Sequence, residues 1–338
     1  MTKKPLLITM GDPAGIGPEI IIQAAAEGAF ADLQHPVLVV GDAAVLERAA
    51  GVCGQRGTWQ AQPGSGPAAR ILDLAGHALP LVEGSRLDIQ QQAYGQPQAE
   101  TGAAMAAYIT WACDRCLAGE AAGMVTAPIN KQALHLAGID SPGHTELLAA
   151  RCGVDNVVMM LAGKRLKVCL VTTHCALREV PQRLNRDIIL ATLRITADSL
   201  QRQFNLPAPR LAVLALNPHA GEGGLFGDEE RQHILPAITT ARTEGIDAVG
   251  PLSADSVFHF ALGGEYDAVV CMYHDQGLIP LKLLHFSDAV NVTLGLPIVR
   301  TSVDHGTAYD LAGTGRANPA SLIAAVRMAD EMAAKTHL

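Results

Sequence analysis

Three histidines give the clearest chemical signal in this chain. His174, His219 and His274 follow short apolar runs, Leu166 to Thr173, Leu211 to Leu216 and Ala268 to Tyr273 respectively. Runs of that length and composition read as buried strands. The segments between them, Arg186 to Phe204 and Asp228 to Glu244, have helical patterning, so the strands are expected to lie parallel with their carboxyl ends on one edge. Ligands of open α/β sheets bind at that edge. Three neutral imidazoles with an open fourth position suit Zn²⁺, with Co²⁺ or Mg²⁺ as other divalent candidates. The spacings of 45 and 55 residues belong to no local metal motif. The residues alone therefore leave two readings open, one metal site or three unrelated loop histidines.

Neighbouring polar residues offer supporting chemistry. Thr173, Asn217, Asp275 and Gln276 can orient imidazoles through hydrogen bonds, or simply cap loops. In Gly143-His144-Thr145-Glu146, Thr145 is placed to cap a following helix, whose free N–H groups suit a phosphate. Lys282 and Arg300 are cations beside strand or turn signals, able to pair with phosphate or carboxylate, or to sit on the surface. Gly221, Gly223, Gly224 and Gly227 lie between a strand and a helix, where backbone can approach a pyrophosphate. Their spacing is not G-x-G-x-x-G, and a flexible turn beside the histidines explains them as well.

These residues need elements to position them. Leu6 to Met10 reads as a strand, followed by a Gly-rich turn and a helix over Ile20 to Ala26. Val37 to Val40 and Ala43 to Ala50 repeat that βα rhythm. Residues 51 to 97 are rich in Gly, Pro and Gln and carry no clear period. A helix is expected over Ala99 to Leu117, a strand over Gly123 to Pro128, strands over Val290 to Leu294 and Ile298 to Arg300, and a closing helix over Pro319 to Ala333 capped by Asn318. The fold class that follows is α/β.

Composition bounds the rest. A chain of 338 residues that is 49% hydrophobic and 17% charged folds as one or two joined domains and is not disordered. Its net charge of −8 has no basic patch for a nucleic-acid backbone. No apolar stretch is long enough for a membrane span or a signal-peptide core. Seven cysteines in largely apolar contexts suit reduced thiols and a cytoplasmic location. Cys113-x-x-Cys116 lies in a predicted helix without a second such pair, so it reads as structural.

Read in order, the motifs are GDPAGIGPE at 11–19, TAPINK at 126–131, GHTE at 143–146, TTHCALREVP at 172–181, LNPHAGEGG at 216–224, GPLSAD at 250–255, MYHDQGL at 272–278, NVTLGLP at 291–297 and RTSVDHGTA at 300–308. Together they resemble the 4-hydroxythreonine-4-phosphate dehydrogenase family of vitamin B6 biosynthesis, the PdxA type. That resemblance implies a fold like isocitrate and isopropylmalate dehydrogenases, with two α/β/α domains and an interdomain cleft. The approximate split is 1–130 plus 300–338 against 131–299, so one domain is discontinuous. It further implies a homodimer whose partner subunit completes the active site. By motif position His174, His219 and His274 correspond to the metal ligands, and His144, Thr145, Lys282, Asn291 and Arg300 to substrate contacts. The implied reaction oxidises 4-phosphooxy-L-threonine with NAD⁺ or NADP⁺ and a divalent metal, and the product decarboxylates. Two departures bear on substrate preference: TAPINK lacks the histidine some members carry before the lysine, and residues 285–289 read His-Phe-Ser-Asp-Ala where a glycine-containing loop is common.

Three other functions fit parts of this pattern. A paralogue acting on D-threonate or D-erythronate 4-phosphate shares the motifs. A three-histidine metal hydrolase needs no nicotinamide. A phosphometabolite-binding module has no turnover to lose.

Overall fold

The computed structural model describes residues 3–61, 68–140 and 143–336. Its chain divides into two compact units, one formed by residues up to Asp155 with Leu296–Ala334, the other by Asn156–Gly295.

In the first unit, β1 (Leu6–Thr9) is buried throughout, as expected of a strand covered on both faces. The turn after it leads into α1 (Gly17–Ala26), which begins earlier than the apolar pattern suggests because Pro18 occupies its first turn, where no N–H is needed. β2 (Val37–Gly41) pairs parallel to β1. It is followed by Asp42, whose carboxylate accepts from Ala44 N and Val45 N at 2.9 and 3.2 Å and so caps α2 (Ala43–Val52). The irregular stretch 51–97 holds β3 (Gly57–Ala61), β4 (Arg70–Leu74) and β5 (His77–Glu83). β5 is parallel to β2, and β4 and β3 extend the sheet antiparallel. α3 (Ala99–Leu117) fills its predicted span, and β6 (Gly123–Thr126) pairs parallel to β1. Asn130 caps α4 (Lys131–Leu136), and α5 (His144–Cys152) follows.

The second unit begins with β7 (Val158–Ala162) and β8 (Lys167–Leu170), an antiparallel pair. After the short α6 (Val180–Arg183), Asn185 caps α7 (Arg186–Phe204) by accepting from Asp187 N and Ile188 N, each at 3.0 Å. β9 (Arg210–Leu214) comes next. The predicted helix over Asp228 to Glu244 is in fact a π turn over Glu230–Ile234 joined to α8 (Leu235–Thr243). Pro236 has no N–H to return to the Gln232 carbonyl, which accounts for the wider turn before it. The unit is completed by β10 (Asp247–Leu252), α9 (Ala254–Leu262), β11 (Ala268–Cys271), α10 (His274–Leu284) and β12 (Val290–Leu294). Strand order is β10-β9-β11-β8-β7-β12, with the first four parallel. Val168, Leu170, Ala212, Leu214 and Val269 form the core beneath α9 and α10, packed on Val257, Ala261 and Leu281.

The chain then returns to the first unit. β13 (Arg300–Val303) starts where the Ile298–Arg300 run was expected to end, and pairs parallel to β6. α11 (Ala320–Lys335) closes the chain, with Asn318 accepting from Ala320 N at 2.9 Å. No described helix is long and apolar enough to cross a membrane.

Candidate functional site

In the second unit β11 lies between β8 and β9, so the three segments bearing the histidines leave adjacent parallel strands at the same edge. His274 does not end a strand as the apolar run suggests. It is the first residue of α10, because the chain turns at Tyr273, whose extended backbone caps the helix. The rings of His174 and His274 stand 5.6 Å apart between centroids and are tilted by 44°. Asp275 Oδ1 lies 2.8 Å from His274 Nδ1. A proton held on Nδ1 by that carboxylate leaves Nε2 with its lone pair for a metal.

His219 is held differently. From His219 to Gly223 the backbone is left-handed, with φ of 51, 53, 76, 41 and 67°. Three of these residues, His219, Ala220 and Glu222, are not glycine, and each bears a cost of about 1–2 kcal/mol. The His219 ring faces Phe226, 6.4 Å between centroids. Among the described residues no three His, Cys, Asp or Glu side chains are grouped to hold a metal ion. The structure thus pairs His174 with His274 and sets His219 against Phe226. The 5.6 Å between the His174 and His274 centroids is close to the separation that a shared divalent ion would require. With Zn–N bonds near 2.0–2.1 Å, two tetrahedrally placed imidazoles have centroids roughly 5 Å apart.

The polar residues around the histidines have differing partners. Asp275 meets the His274 imidazole in the way expected. Gln276 accepts from Met272 N and donates to the Ala215 carbonyl, both at 2.7 Å. Asn217 Nδ2 donates to Glu229 and Glu230, at 2.6 and 3.0 Å. The Thr173 carbonyl accepts from Cys175 N. The glycine segment is also unlike a pyrophosphate cradle. A Cβ on Gly221 would meet Glu230 Oε2 at 2.8 Å, and one on Gly224 would meet Asp228 Oδ1 at 3.5 Å. Carboxylates repel an anion, and Gly221, Gly223, Gly224 and Gly227, all with positive φ, serve here to turn the chain. Elsewhere in this unit, Asn291 sits on β12 opposite Leu161, its Oδ1 buried without a hydrogen-bond partner among the described residues. Lys282 lies on α10 with its ammonium 5.7 Å from the Phe286 ring centre.

The first unit gathers a second polar cluster. Thr145 does not cap α5. The cap is Gly143, whose extended backbone starts the helix early enough to make His144 its first residue, and no side chain caps that end. His144 Nε2 is buried and without a partner among the described residues. Burial, and then the nearby Arg300 cation, hold its imidazole well below the usual histidine range, so it stays neutral. Arg300 is itself 2% exposed and donates through Nη2 to Thr126 Oγ1 at 2.7 Å. Burial brings its pKa down to about 10, with Glu146 opposing that shift. Lys131 lies beside the start of α5, its Cε 3.7 Å from where a Gly143 Cβ would stand. A buried guanidinium, a neutral imidazole and the open end of a helix are what a phosphate or carboxylate needs. Lys131 and Thr126 were not singled out from sequence, although both lie in TAPINK. Asp12 was passed over too. It is fully buried, burial raises its carboxyl pKa, and Tyr309 donates to it at 2.5 Å.

The model of the pyridoxal phosphate biosynthetic protein PdxA family matches residues 32–329. The chain belongs to the PdxA family. A 4-hydroxythreonine-4-phosphate dehydrogenase from Geobacter metallireducens is 56% identical across 98% of this chain and 96% of its own length. Another from Trichlorobacter lovleyi is 52% identical across 98% and 99%. A crystal structure of 4-hydroxythreonine-4-phosphate dehydrogenase from Klebsiella pneumoniae superposes with a TM-score of 0.87 at 42% identity, covering 98% of each chain. The PdxA fold is the isocitrate and isopropylmalate dehydrogenase-like α/β fold expected from the motifs.

Proposed function

We propose that this PdxA family member is an oxidoreductase of pyridoxal phosphate biosynthesis. It oxidises 4-phosphooxy-L-threonine with NAD⁺ or NADP⁺ to 2-amino-3-oxo-4-phosphooxybutanoate, which loses CO₂ to give 3-amino-2-oxopropyl phosphate. The observation that carries this reading is the close similarity to named 4-hydroxythreonine-4-phosphate dehydrogenases along almost the whole of both chains. The side chains support it in detail. Arg300, His144 and Thr145 bind an anionic end of the substrate. Arg300 provides charge, and the neutral His144 provides a ring nitrogen that does not compete with that charge. Lys282 and Asn291 hold the remaining polar groups, the Asn291 amide oxygen being available as an acceptor.

His174, His219 and His274 would hold a divalent ion, zinc being favoured by the imidazole donors. When bound, such an ion supplies Lewis acidity at a hydroxyl oxygen. Asp275 keeps the His274 ring turned for that purpose. The enzyme works as a homodimer in the cytoplasm. Ile279, Leu283 and Phe286, 67, 86 and 81% exposed on and after α10, supply apolar surface for a second copy, and all seven cysteines are free thiols.

The test is NADH or NADPH formation by the zinc-loaded protein, with 4-phosphooxy-L-threonine and D-erythronate 4-phosphate offered separately. Turnover of the amino acid phosphate alone is expected. Turnover of the sugar-acid phosphate alone would overturn the substrate, and phosphatase activity without nicotinamide reduction would overturn the reaction.

A further inference from the structure

We propose that Glu230 and Gln276 are positioning residues that lock the His219 turn to the strand ends bearing the other two histidines. The consequence for metal affinity rests on the reading of His174, His219 and His274 as ligands. Both side chains are buried, at 5 and 8% exposure. Glu230 Oε1 accepts from Leu216 N at 2.8 Å and from Asn217 N at 2.7 Å, and its Oε2 accepts from Asn217 Nδ2 at 3.0 Å. One carboxylate thus takes three donors from the two residues that lead into Pro218 and His219. The same carboxylate abuts the turn itself, since no Cβ fits at Gly221 beside it.

Gln276 joins this segment to its neighbour. Its two bonds tie the Ala215 carbonyl, after β9, to Met272 N, after β11. Met272 is held in turn by Thr172, whose Oγ1 donates to the Met272 carbonyl at 2.7 Å, after β8. The stretches that precede His219, His274 and His174 are therefore linked in one chain of buried hydrogen bonds. A turn with three left-handed non-glycine residues persists only where its surroundings over-determine it, and these two side chains supply that determination. Their bonds run to the backbone at 215–217 and 272 and to the Asn217 amide. They set where the backbone carries each imidazole.

The test compares the native protein with Glu230→Gln, which turns an amide N–H₂ toward the Asn217 amide, and Gln276→Met, which keeps the length and removes both bonds. Asn185→Ala, a cap variant far along the sequence, serves as a control for general loss of stability. In metal-free protein, hydrogen exchange across 216–227 should be at least tenfold faster in the two test variants than in the native chain or the control. Zinc affinity, read by competition with a chromophoric chelator, should be weaker by about 10–100-fold in the same two variants. Unchanged exchange would overturn the proposal, as would faster exchange with zinc affinity within twofold of native. If the native protein and His219→Ala bind zinc equally poorly, the metal reading fails, and the exchange rates alone decide whether the two residues hold the turn.

Discussion

The neutral His144, whose Nε2 is buried, makes a prediction about pH. Its imidazole is held well below the usual range in the folded chain, by burial first and by Arg300 second. In the unfolded chain a histidine titrates near 6.5. Below that pH the unfolded chain takes up a proton that the folded chain refuses, so the unfolded state gains. The contribution of His144 is complete above about pH 6.5 and is lost as pH falls. The loss has a ceiling of about 1.4 kcal/mol per pH unit. His144→Gln places an amide nitrogen near the Nε2 position and cannot titrate. Urea unfolding followed by circular dichroism, run from pH 8 to pH 5 on both proteins, isolates this one group from every other carboxylate and histidine. The stability of the native chain relative to the variant should fall steadily as pH drops below about 6.5, by no more than about 1.4 kcal/mol per pH unit. A difference that stays constant with pH would show that His144 takes up its proton as readily in the folded chain as in the unfolded one, and the account of the Arg300 cluster would be wrong.

Other perturbations have equally definite outcomes. His219→Ala and His274→Ala should each abolish zinc binding measured by chelator competition and lower kcat at least a hundredfold; turnover at the native rate in zinc-free variants would remove the metal from the reaction. Arg300→Lys replaces a planar fork that reaches Thr126 with a point charge, and should raise KM about tenfold or more with a smaller change in kcat. Gly102→Ala sets a Cβ 1.9 Å from the Ala133 carbonyl oxygen, backbone that α4 cannot withdraw easily, and should cost about 3 kcal/mol or more in urea unfolding. Asn185→Ala should cost about 1 kcal/mol through the lost cap while kcat/KM is retained.

Sequence made some elements plain because burial and period agree in them. α3 and α7 cover their expected spans, with Asn185 signalling where α7 starts. β8, β9 and β11 are buried on both faces, so their apolar runs stand out and their parallel pairing follows from the helices between them. The strands in 51–97 gave no such signal. β3 is largely exposed and lies at the end of an antiparallel extension, so neither of its faces carries an apolar stripe. The site residues were legible by type and by their order in the motifs. Their placement was only partly so. His174 and His274 come together because adjacent parallel strands lead to both. His219 enters a left-handed turn at non-glycine positions, and no local propensity forecasts that conformation.

The acidic run Asp228-Glu229-Glu230 shows how one local pattern can hide two roles. Acidic residues between a glycine turn and a helix are ordinarily explained by the positive end of the helix dipole. Asp228 stays within its own turn, its carboxylate accepting from the Arg231 and Gln232 side chains. Glu229 both accepts from the Asp228 amide at the helix start and reaches back to Asn217, while the Glu230 carboxylate binds back toward the end of β9. Asn217 donates to both, and the Leu216 and Asn217 amides bind Glu230 alone. What separates these carboxylates is the supply of unpaired N–H groups at the end of β9, a feature of the tertiary fold. A buried carboxylate costs a great deal unless such donors surround it, and buried donors cost nearly as much without an acceptor. Each requirement meets the other at this point, so the acid that looks like a helix start is the one that fixes where His219 stands.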